Sequence, residues 1–331
     1  MKSAEDRLVE KIAAAARPGG PRWPPLRLGP GDDAALWRPR PGREAILTCD
    51  WFLQGTHFLR DKHPPDSVGW KSLARAVSDI AAMGGEPRCF LLSLALPQTH
   101  TGRWLDQFLA GLRRAAQHFA CRLAGGDTTQ REEILINVTV LGEVRKGDAV
   151  LRSGAKAGDL VFVSGRLGEA EFGLRSLRLG RTAGHLSSPG VSRHLYPEPR
   201  LALGQWLAKR RVATSMIDLS DGLSSDLSRL CAASKVGARI IASRIPTLSP
   251  AREQRRNPRD LLRFALHGGE DYELLFTVRP SRAQSLPSAF HGLPLRCIGE
   301  IMRGRQLILV GPDGCKQSLV ARGWDPFRKR R

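Results

Sequence analysis

Ile217-Asp218-Leu219-Ser220-Asp221-Gly222-Leu223-Ser224-Ser225-Asp226-Leu227 crowds three carboxylates behind the apolar pair Met216-Ile217 and ahead of an amphipathic run. The pattern predicts a strand, a glycine-containing turn and a helix from Ser224 to Ser234. Capping of that helix by Ser220 or Asp221 accounts for one of the acids and leaves the others unexplained. Carboxylates this close raise one another's pKa unless a cation neutralises them, so the stretch points to a hard divalent ion such as Mg²⁺.

Working outward, four further acidic stretches stand out: Gly31-Asp32-Asp33-Ala34-Ala35, Thr48-Cys49-Asp50, Ser78-Asp79-Ile80 and Gly125-Gly126-Asp127-Thr128-Thr129. Each is read as a turn or element end that presents a carboxylate. In the first, glycine lets the backbone approach a ligand closely, although a turn simply capped by Asp is the commoner cause of such a sequence. In the last, two glycines free backbone amides for phosphate while the acid and hydroxyls offer oxygen ligands, and a plain turn remains the alternative. Asp79 falls in the final turn of a helix expected over 67–83 and stopped by Gly84-Gly85, where the helix dipole disfavours an anion unless water or a cation holds it. The expectation is that these acids gather around magnesium and phosphate.

The 331 residues suffice for two domains with separate cores. An amphipathic helix (4–16) leads into Pro- and Gly-rich coil through Gly31. Strands at 45–49, 90–96 and 134–141 and helices at 67–83 and 107–119 form a β-α-β alternation to about residue 145. A second alternation has a strand at 160–164, a helix after Gly165-Arg166-Leu167-Gly168, and an Arg-, Gly- and Pro-rich connection over 180–200. A helix at 200–209, the acidic stretch, and strands at 238–242 and 272–278 complete it. The fold expected is α/β (α+β), with an N-terminal domain over 1–147 for ATP and Mg²⁺ binding and dimerisation, and a C-terminal domain over 148–331 that completes the active site.

Composition narrows the function. The formal charge of +20 invites a nucleic-acid partner, but arginines are spread through nearly every segment without interleaved aromatics or a groove-reading motif, so none is expected. The same charge attracts small anionic substrates. No apolar run nears the roughly 18 residues of a spanning helix, and the acidic, Ala-rich start does not read as a secretory signal, so a cytoplasmic protein without membrane contact is expected. The six cysteines form no C-x-x-C pair and read as buried free thiols. There is no Gly-Lys dipeptide for a P-loop, no H-R-D or D-F-G set, no Gly-x-Ser-x-Gly elbow and no H-E-x-x-H helix.

Seven motifs then occur in the order seen in bacterial thiamine-monophosphate kinases: the Gly31–Ala35 stretch, Gly55-Thr56-His57-Phe58, Ser78-Asp79-Ile80-Ala81-Ala82-Met83-Gly84, Gly125–Thr129, Arg152-Ser153-Gly154-Ala155-Lys156, Asp218–Leu223, and Gly268-Gly269-Glu270-Asp271-Tyr272-Glu273-Leu274. The chain resembles that family from about residue 29 to Trp324. Several motifs are shared with the wider ATP-binding superfamily of aminoimidazole ribonucleotide synthetase and selenophosphate synthetase, and no early Cys- or Lys-bearing glycine loop of the selenophosphate type is present.

The resemblance implies an aminoimidazole-ribonucleotide-synthetase-like fold in which N-terminal sheets of two subunits join into a barrel, giving a homodimer with ATP at the domain and subunit boundary. It implies Mg²⁺ ligands at Asp33, Asp50, Asp79, Asp127, Asp218 and Asp221, with an oxygen from Thr48. Cys49 stands where a Thr is usual, leaving only its carbonyl as a ligand. ATP contacts are implied at Gly126, Asp127, Arg152 and Ser220, with Leu109 in place of an expected Tyr. Thiamine monophosphate contacts are implied at His57, Glu270 and Trp324. Taken singly, His57 reads as a turn residue, Glu270 as a strand-start acid, and Trp324 either as a core residue or as a face for a cationic ring. The implied reaction is Mg²⁺-dependent, in-line transfer from ATP to thiamine monophosphate. No general base is called for, because the accepting phosphate has a second pKa of about 6 and is already anionic. The alternatives are another ATP-dependent enzyme of the same superfamily, or a basic nucleic-acid-binding protein.

Overall fold

The computed structural model describes residues 4–15, 26–28, 34–179, 189–248 and 258–327. They divide into two units, Met1–Ile80 with Gly85–Gly147, and Ala81–Gly84 with Asp148–Arg331. Among the described residues no helix is long and apolar enough to cross a membrane.

The first unit runs α1 (Ala4–Ala15), β1 (Leu26–Leu28), β2 (Leu36–Trp37), β3 (Arg43–Leu53), α2 (Pro65–Ala82), β4 (Glu86–Leu96), α3 (Arg103–His118), β5 (Arg122–Gln130) and β6 (Leu135–Arg145). Its four-stranded sheet has the order β3-β6-β4-β5, antiparallel except for the parallel pair β4 and β5. Period-two alternation decides the faces. Ile46 and Phe52 of β3 point inward with Val138 and Val140 of β6, whereas Leu47 and Trp51 stay 67% and 55% exposed. Helices α2 and α3 cross at two glycines: a Cβ on Gly69 would lie 2.0 Å from the Phe108 carbonyl oxygen, and one on Gly111 would lie 1.8 Å from that of Asp66.

One expected strand end and one expected turn are strand interiors. Thr48-Cys49-Asp50 lies within β3 and Gly125–Thr129 within β5. Glycine and aspartate are depleted from strands, which is why local composition misreads both. The physical reason for Gly126 is steric, since a Cβ there would sit 1.9 Å from the Leu92 carbonyl oxygen of the parallel neighbour.

The second unit holds β7 (Leu160–Ser164), α4 (Glu169–Arg178), α5 (Pro189–Leu195), α6 (Leu201–Lys209), β8 (Ala213–Asp218), α7 (Leu223–Ser234), β9 (Gly237–Ile241), α8 (Pro258–His267), β10 (Leu274–Val278), α9 (Pro280–Ala283), β11 (Ala289–Phe290), β12 (Leu293–Met302), β13 (Leu307–Val310) and β14 (Lys316–Ser318). The main sheet runs β14-β13-β9-β12-β7-β10-β8, with β11 paired to β12 and only β9 and β13 parallel. On one face Val161, Val163, Ile217 and Leu275 pack against Leu223, Leu227 and Leu230 of α7 and Ala265 and Leu266 of α8. On the other, Phe162, Met216, Leu274 and Phe276 pack against Leu203 and Leu207 of α6. The stretch read as a connection over 180–200 therefore contains a helix, α5; residues 180–188 lie outside the described residues.

Glu86 and Glu143 face each other across β4 and β6, a like-charge pairing that arginines make tenable. Glu143, fully buried, accepts from Arg40 Nε at 2.7 Å, the Arg40 backbone N–H at 3.0 Å and Arg88 Nε at 3.3 Å, while Glu86 takes Arg40 and Arg43 at 2.8 Å each. Replacing Glu143 with Ala strands the buried Arg88 beside a smaller partner set. We expect a loss of about 3 kcal/mol in urea unfolding, the lower end for a broken buried ion pair because Arg40 is partly solvated and Arg88 retains Glu86. A change below about 1 kcal/mol would refute this role for the pair.

Candidate active site

In the first unit the alternation of β3 sets Thr48 and Asp50 on the helix-covered face. Thr48 Oγ1 donates a short hydrogen bond to Asp79 Oδ2 from the last turn of α2, and Asp50 Oδ1 lies 4.0 Å from Arg75 Nη2 of the preceding turn. Cys49 turns to the opposite face, where Asn137 Nδ2 donates to its sulfur at 3.1 Å, so its thiol takes no part beside Thr48 and Asp50. Asp127 pairs in register with Ser93 and shares the face of Leu91 and Trp51, not that of Asp50. It is exposed, and its carboxylate accepts the Thr128 N–H at 2.9 Å. Asp33 lies outside the described residues.

His57 is fixed by the turn that ends β3. Its Nδ1 accepts the Leu53 N–H at 3.0 Å, which leaves the proton of a neutral ring on Nε2. Leu109 is buried within α3, so an aliphatic side chain at this position is a core residue.

The second unit gathers remote motifs around the end of β8. Leu219 N–H donates to the Glu273 carbonyl at 2.8 Å, and Tyr272 N–H returns to the Leu219 carbonyl at 2.9 Å. Glu270 N–H donates to the Ser220 carbonyl at 2.8 Å, and Trp324 N–H to the Asp221 carbonyl at 2.9 Å. The backbones of Glu270 and Trp324 are thus tied to the turn that carries Ser220 and Asp221. Close approach requires glycine on both flanks: a Cβ on Gly269 would lie 2.6 Å from the Ser220 carbonyl oxygen, and one on Gly323 would lie 2.1 Å from that of Asp221.

The three acids of the opening motif divide their work. Asp218 is buried at the end of β8. Asp226, fully buried, accepts the N–H groups of Asp221 and Gly222 at 3.0 Å each and so ties down the turn before α7, whose N-cap is Gly222; neither Ser220 nor Asp221 caps the helix with its side chain. Burial, then the neighbouring Asp221, pushes its pKa up to about 7 against the pull of Arg229. Arg229 Nη1 reaches Asp221 Oδ2 at 2.6 Å and Asp226 Oδ1 at 2.5 Å. Sequence reading passed over Arg229, although its i,i+3 spacing from Asp226 on a helix was a usable signal.

The Gly268–Leu274 motif divides likewise. Asp271 accepts the Gly168 and Ala170 N–H groups at 2.6 and 3.1 Å and so anchors the start of α4. Glu273, buried, accepts from Ser164 Oγ at 2.5 Å and from Arg200 Nε at 2.7 Å. Glu270 has φ +68°, in the left-handed region. Such strain persists where the surroundings over-determine it, commonly at functional sites. Arg152 stands apart from this group. Ser234 Oγ donates to its carbonyl at 2.9 Å, and the adjacent Leu151 carbonyl accepts the Met216 N–H at 3.0 Å, so Arg152 lies beside the C-terminal end of α7 and the middle of β8.

Among the described residues no three His, Cys, Asp or Glu side chains form a group that could hold a metal ion. The pairs present, Thr48 with Asp79 and the Asp218–Asp221 segment, offer oxygen donors alone. Mg²⁺ is commonly held by one or two carboxylates with substrate phosphates and water, so donor sets of this kind fit it.

The AIR synthase related protein N-terminal domain family matches residues 31–144, and the corresponding C-terminal domain family matches residues 156–312. The chain is 39% identical to the thiamine-monophosphate kinase of Escherichia coli (strain K12) over 306 residues, 91% of this chain and 92% of that protein. The crystal structure of thiamine-monophosphate kinase from Stenotrophomonas maltophilia K279a is similar with a TM-score of 0.81 and 35% identity, over 95% of this chain and 98% of that one. A structure of AaThiL complexed with AMPPCP and TMP is similar with a TM-score of 0.76 and 32% identity, over 88% and 89% of the two chains. The chain belongs to the thiamine-monophosphate kinase family and has its two-domain α/β fold with mixed sheets.

Burial pushes the Asp271 pKa up to about 8 despite the two N–H groups that favour its anion, and burial also raises that of Glu169. The folded protein therefore holds protons that the unfolded chain releases above about pH 4. The resulting stabilisation is fully present below that pH and is lost as pH rises through about 8. We expect the melting temperature to fall between about pH 5 and about pH 8.5, and Asp271→Asn to flatten the decline. An unchanged slope in the variant would contradict the assignment.

Proposed function

We propose that this member of the thiamine-monophosphate kinase family transfers the γ-phosphoryl group of ATP to the phosphate of thiamine monophosphate, releasing thiamine diphosphate and ADP. The observation that carries the reading is the convergence of Ser220, Asp221, Glu270 and Trp324 on the end of β8. Its support is the likeness to a structure complexed with AMPPCP and TMP over 88% of the chain.

Thr48, Asp50, Asp79, Asp127, Asp218 and Asp221 would hold Mg²⁺, together with Asp33. When bound, the ion offsets negative charge on the transferring group. Gly126, Asp127, Arg152 and Ser220 hold ATP, Arg152 adding a positive charge at the phosphates. Glu270 accepts the cationic or amino part of thiamine, and Trp324 offers its ring face to the same cation. His57 presents Nε2–H to an anionic oxygen of the substrate. The accepting phosphate needs no deprotonation at neutral pH, so transfer is in-line and direct, without a base or a covalent enzyme intermediate.

The active form is a homodimer. Leu47, Trp51 and Leu91 are 67%, 55% and 37% exposed on one sheet face, a surface that pairing of two such sheets into a barrel would cover. The six cysteines are free, but only Cys89, Cys121 and Cys231 are buried as expected, while Cys49 and Cys315 are exposed; free thiols and the use of ATP suit the cytoplasm.

Purified protein incubated with ATP, Mg²⁺ and thiamine monophosphate should yield thiamine diphosphate and ADP in equal amounts on chromatography. It should show no exchange of label between ATP and ADP when the acceptor is omitted. Asp218→Asn should lower turnover by at least about 100-fold with an unchanged circular-dichroism spectrum. Normal turnover at ordinary Mg²⁺ would reject the ligand, and absence of thiamine diphosphate the activity. Separately, Trp51→Glu should shift the sedimentation coefficient from dimer to monomer; a wild-type monomer, or a dimer undisturbed by this charge, would overturn the interface.

A further inference from the structure

Glu270 is held at both ends. Its backbone is locked in the left-handed region, with Tyr272 two residues on also at positive φ, +50°, and the N–H groups of both are tied to the Ser220 and Leu219 carbonyls. Its carboxylate meets a buried imidazole: His194 Nδ1 lies 3.3 Å from Glu270 Oε2, and the two side chains are 1% and 18% exposed. His194 comes from α5, in the stretch that sequence reading took for a connection.

The route by which His194 reaches that position begins at the neighbouring residue. Asp271 anchors the start of α4 through Gly168 and Ala170. Helix α4 carries α5 on a contact so close that a Cβ on Gly173 would lie 2.1 Å from the Gly190 carbonyl oxygen and 3.0 Å from His194 Cβ. Leu177, Val191 and Leu195 seal the two helices together. Arg193, next along α5, pairs with Glu169 of α4 at 3.4 Å. A closed circuit therefore runs from Asp271 through two helices to His194 and back to the side chain of Glu270. A core histidine needs only some partner for its ring; here one partner is the strained acid.

From this circuit we infer that His194 is the positioning residue that aims the Glu270 carboxylate at the positively charged or amino-bearing part of the phosphate-accepting substrate. An Nδ1–H directed at one carboxylate oxygen fixes the torsion of the Glu270 side chain and so the direction in which the carboxylate faces the ligand. The inference rests on the function proposed above and adds a residue to its substrate side.

The test compares His194→Leu, which fills the space without a donor, with His194→Asn, whose amide nitrogen can stand near Nδ1, and with Glu270→Gln. We expect His194→Leu to raise the KM for thiamine monophosphate by about tenfold, with kcat and the KM for ATP within about twofold of wild type. His194→Asn should recover most of the loss, and combining His194→Leu with Glu270→Gln should add little to the Glu270 effect. If His194→Leu does not fold, His194→Gln, which places its amide away from the Nδ1 position, takes its place beside His194→Asn. Equal movement of both KM values with kcat, an unaltered KM, or no difference between the Asn and the Leu or Gln variants overturns the positioning role. Failure of the wild type itself to bind or phosphorylate thiamine monophosphate overturns the functional reading and this inference with it, an outcome distinct from a normal wild type with an indifferent His194.

Discussion

Reciprocal backbone hydrogen bonds between the Leu219–Asp221 turn and the Glu270–Glu273 segment are the constraint on which the second unit's site depends. They make two loops remote in sequence act as one rigid piece, and each side chain they carry inherits its direction from backbone geometry. A loop held by side chains alone would lose rotamer entropy at every contact, whereas backbone bonds fix several Cα–Cβ vectors together. The left-handed conformations of Glu270 and Tyr272 cost of order 1–3 kcal/mol each, and this local ladder offsets them.

The same economy explains why one acidic motif can contain residues of opposite purpose. Asp271 and Asp226 face inward to N–H groups and have raised pKa values, about 8 and about 7, because burial disfavours the anion. Both act on structure, one anchoring α4 and the other fixing the turn before α7. Their immediate neighbours Glu270 and Asp221 remain partly open. In a chain with formal charge +20, arginines fill the remaining role: Arg229 and Arg200 neutralise the acids that cannot be left alone.

Much of this was legible from sequence where structure follows local periodicity. The helix read at 67–83 is Pro65–Ala82, that at 224–234 is Leu223–Ser234, and the strand at 160–164 is Leu160–Ser164. The motifs also pointed to the family. What sequence could not carry was pairing. Gly125–Thr129 looks like a turn until β4 lies beside it and Leu92 demands a residue without a side chain at 126. Strand parity then decides that Asp127 faces away from Asp50, a fact that no count of acids contains. His194 was invisible for the same reason, since its meaning lies in a contact that only the folded chain makes, whereas Arg229 carried a local signal in its i,i+3 spacing from Asp226.

Parity also bears on how carboxylates are used. Asp50 and Asp79 share a face with Thr48, and Asp127 occupies the other side of the same sheet. Acids on opposite faces are separated by the backbone layer, which weakens their mutual repulsion. Oxygen pairs presented on separate surfaces are poor closed cages but good partial shells, which phosphate oxygens can complete only when substrate is present. Under the function proposed, affinity for a divalent ion would then be tied to occupancy by the anionic substrate, and the free protein would not bear the cost of assembling many unneutralised charges.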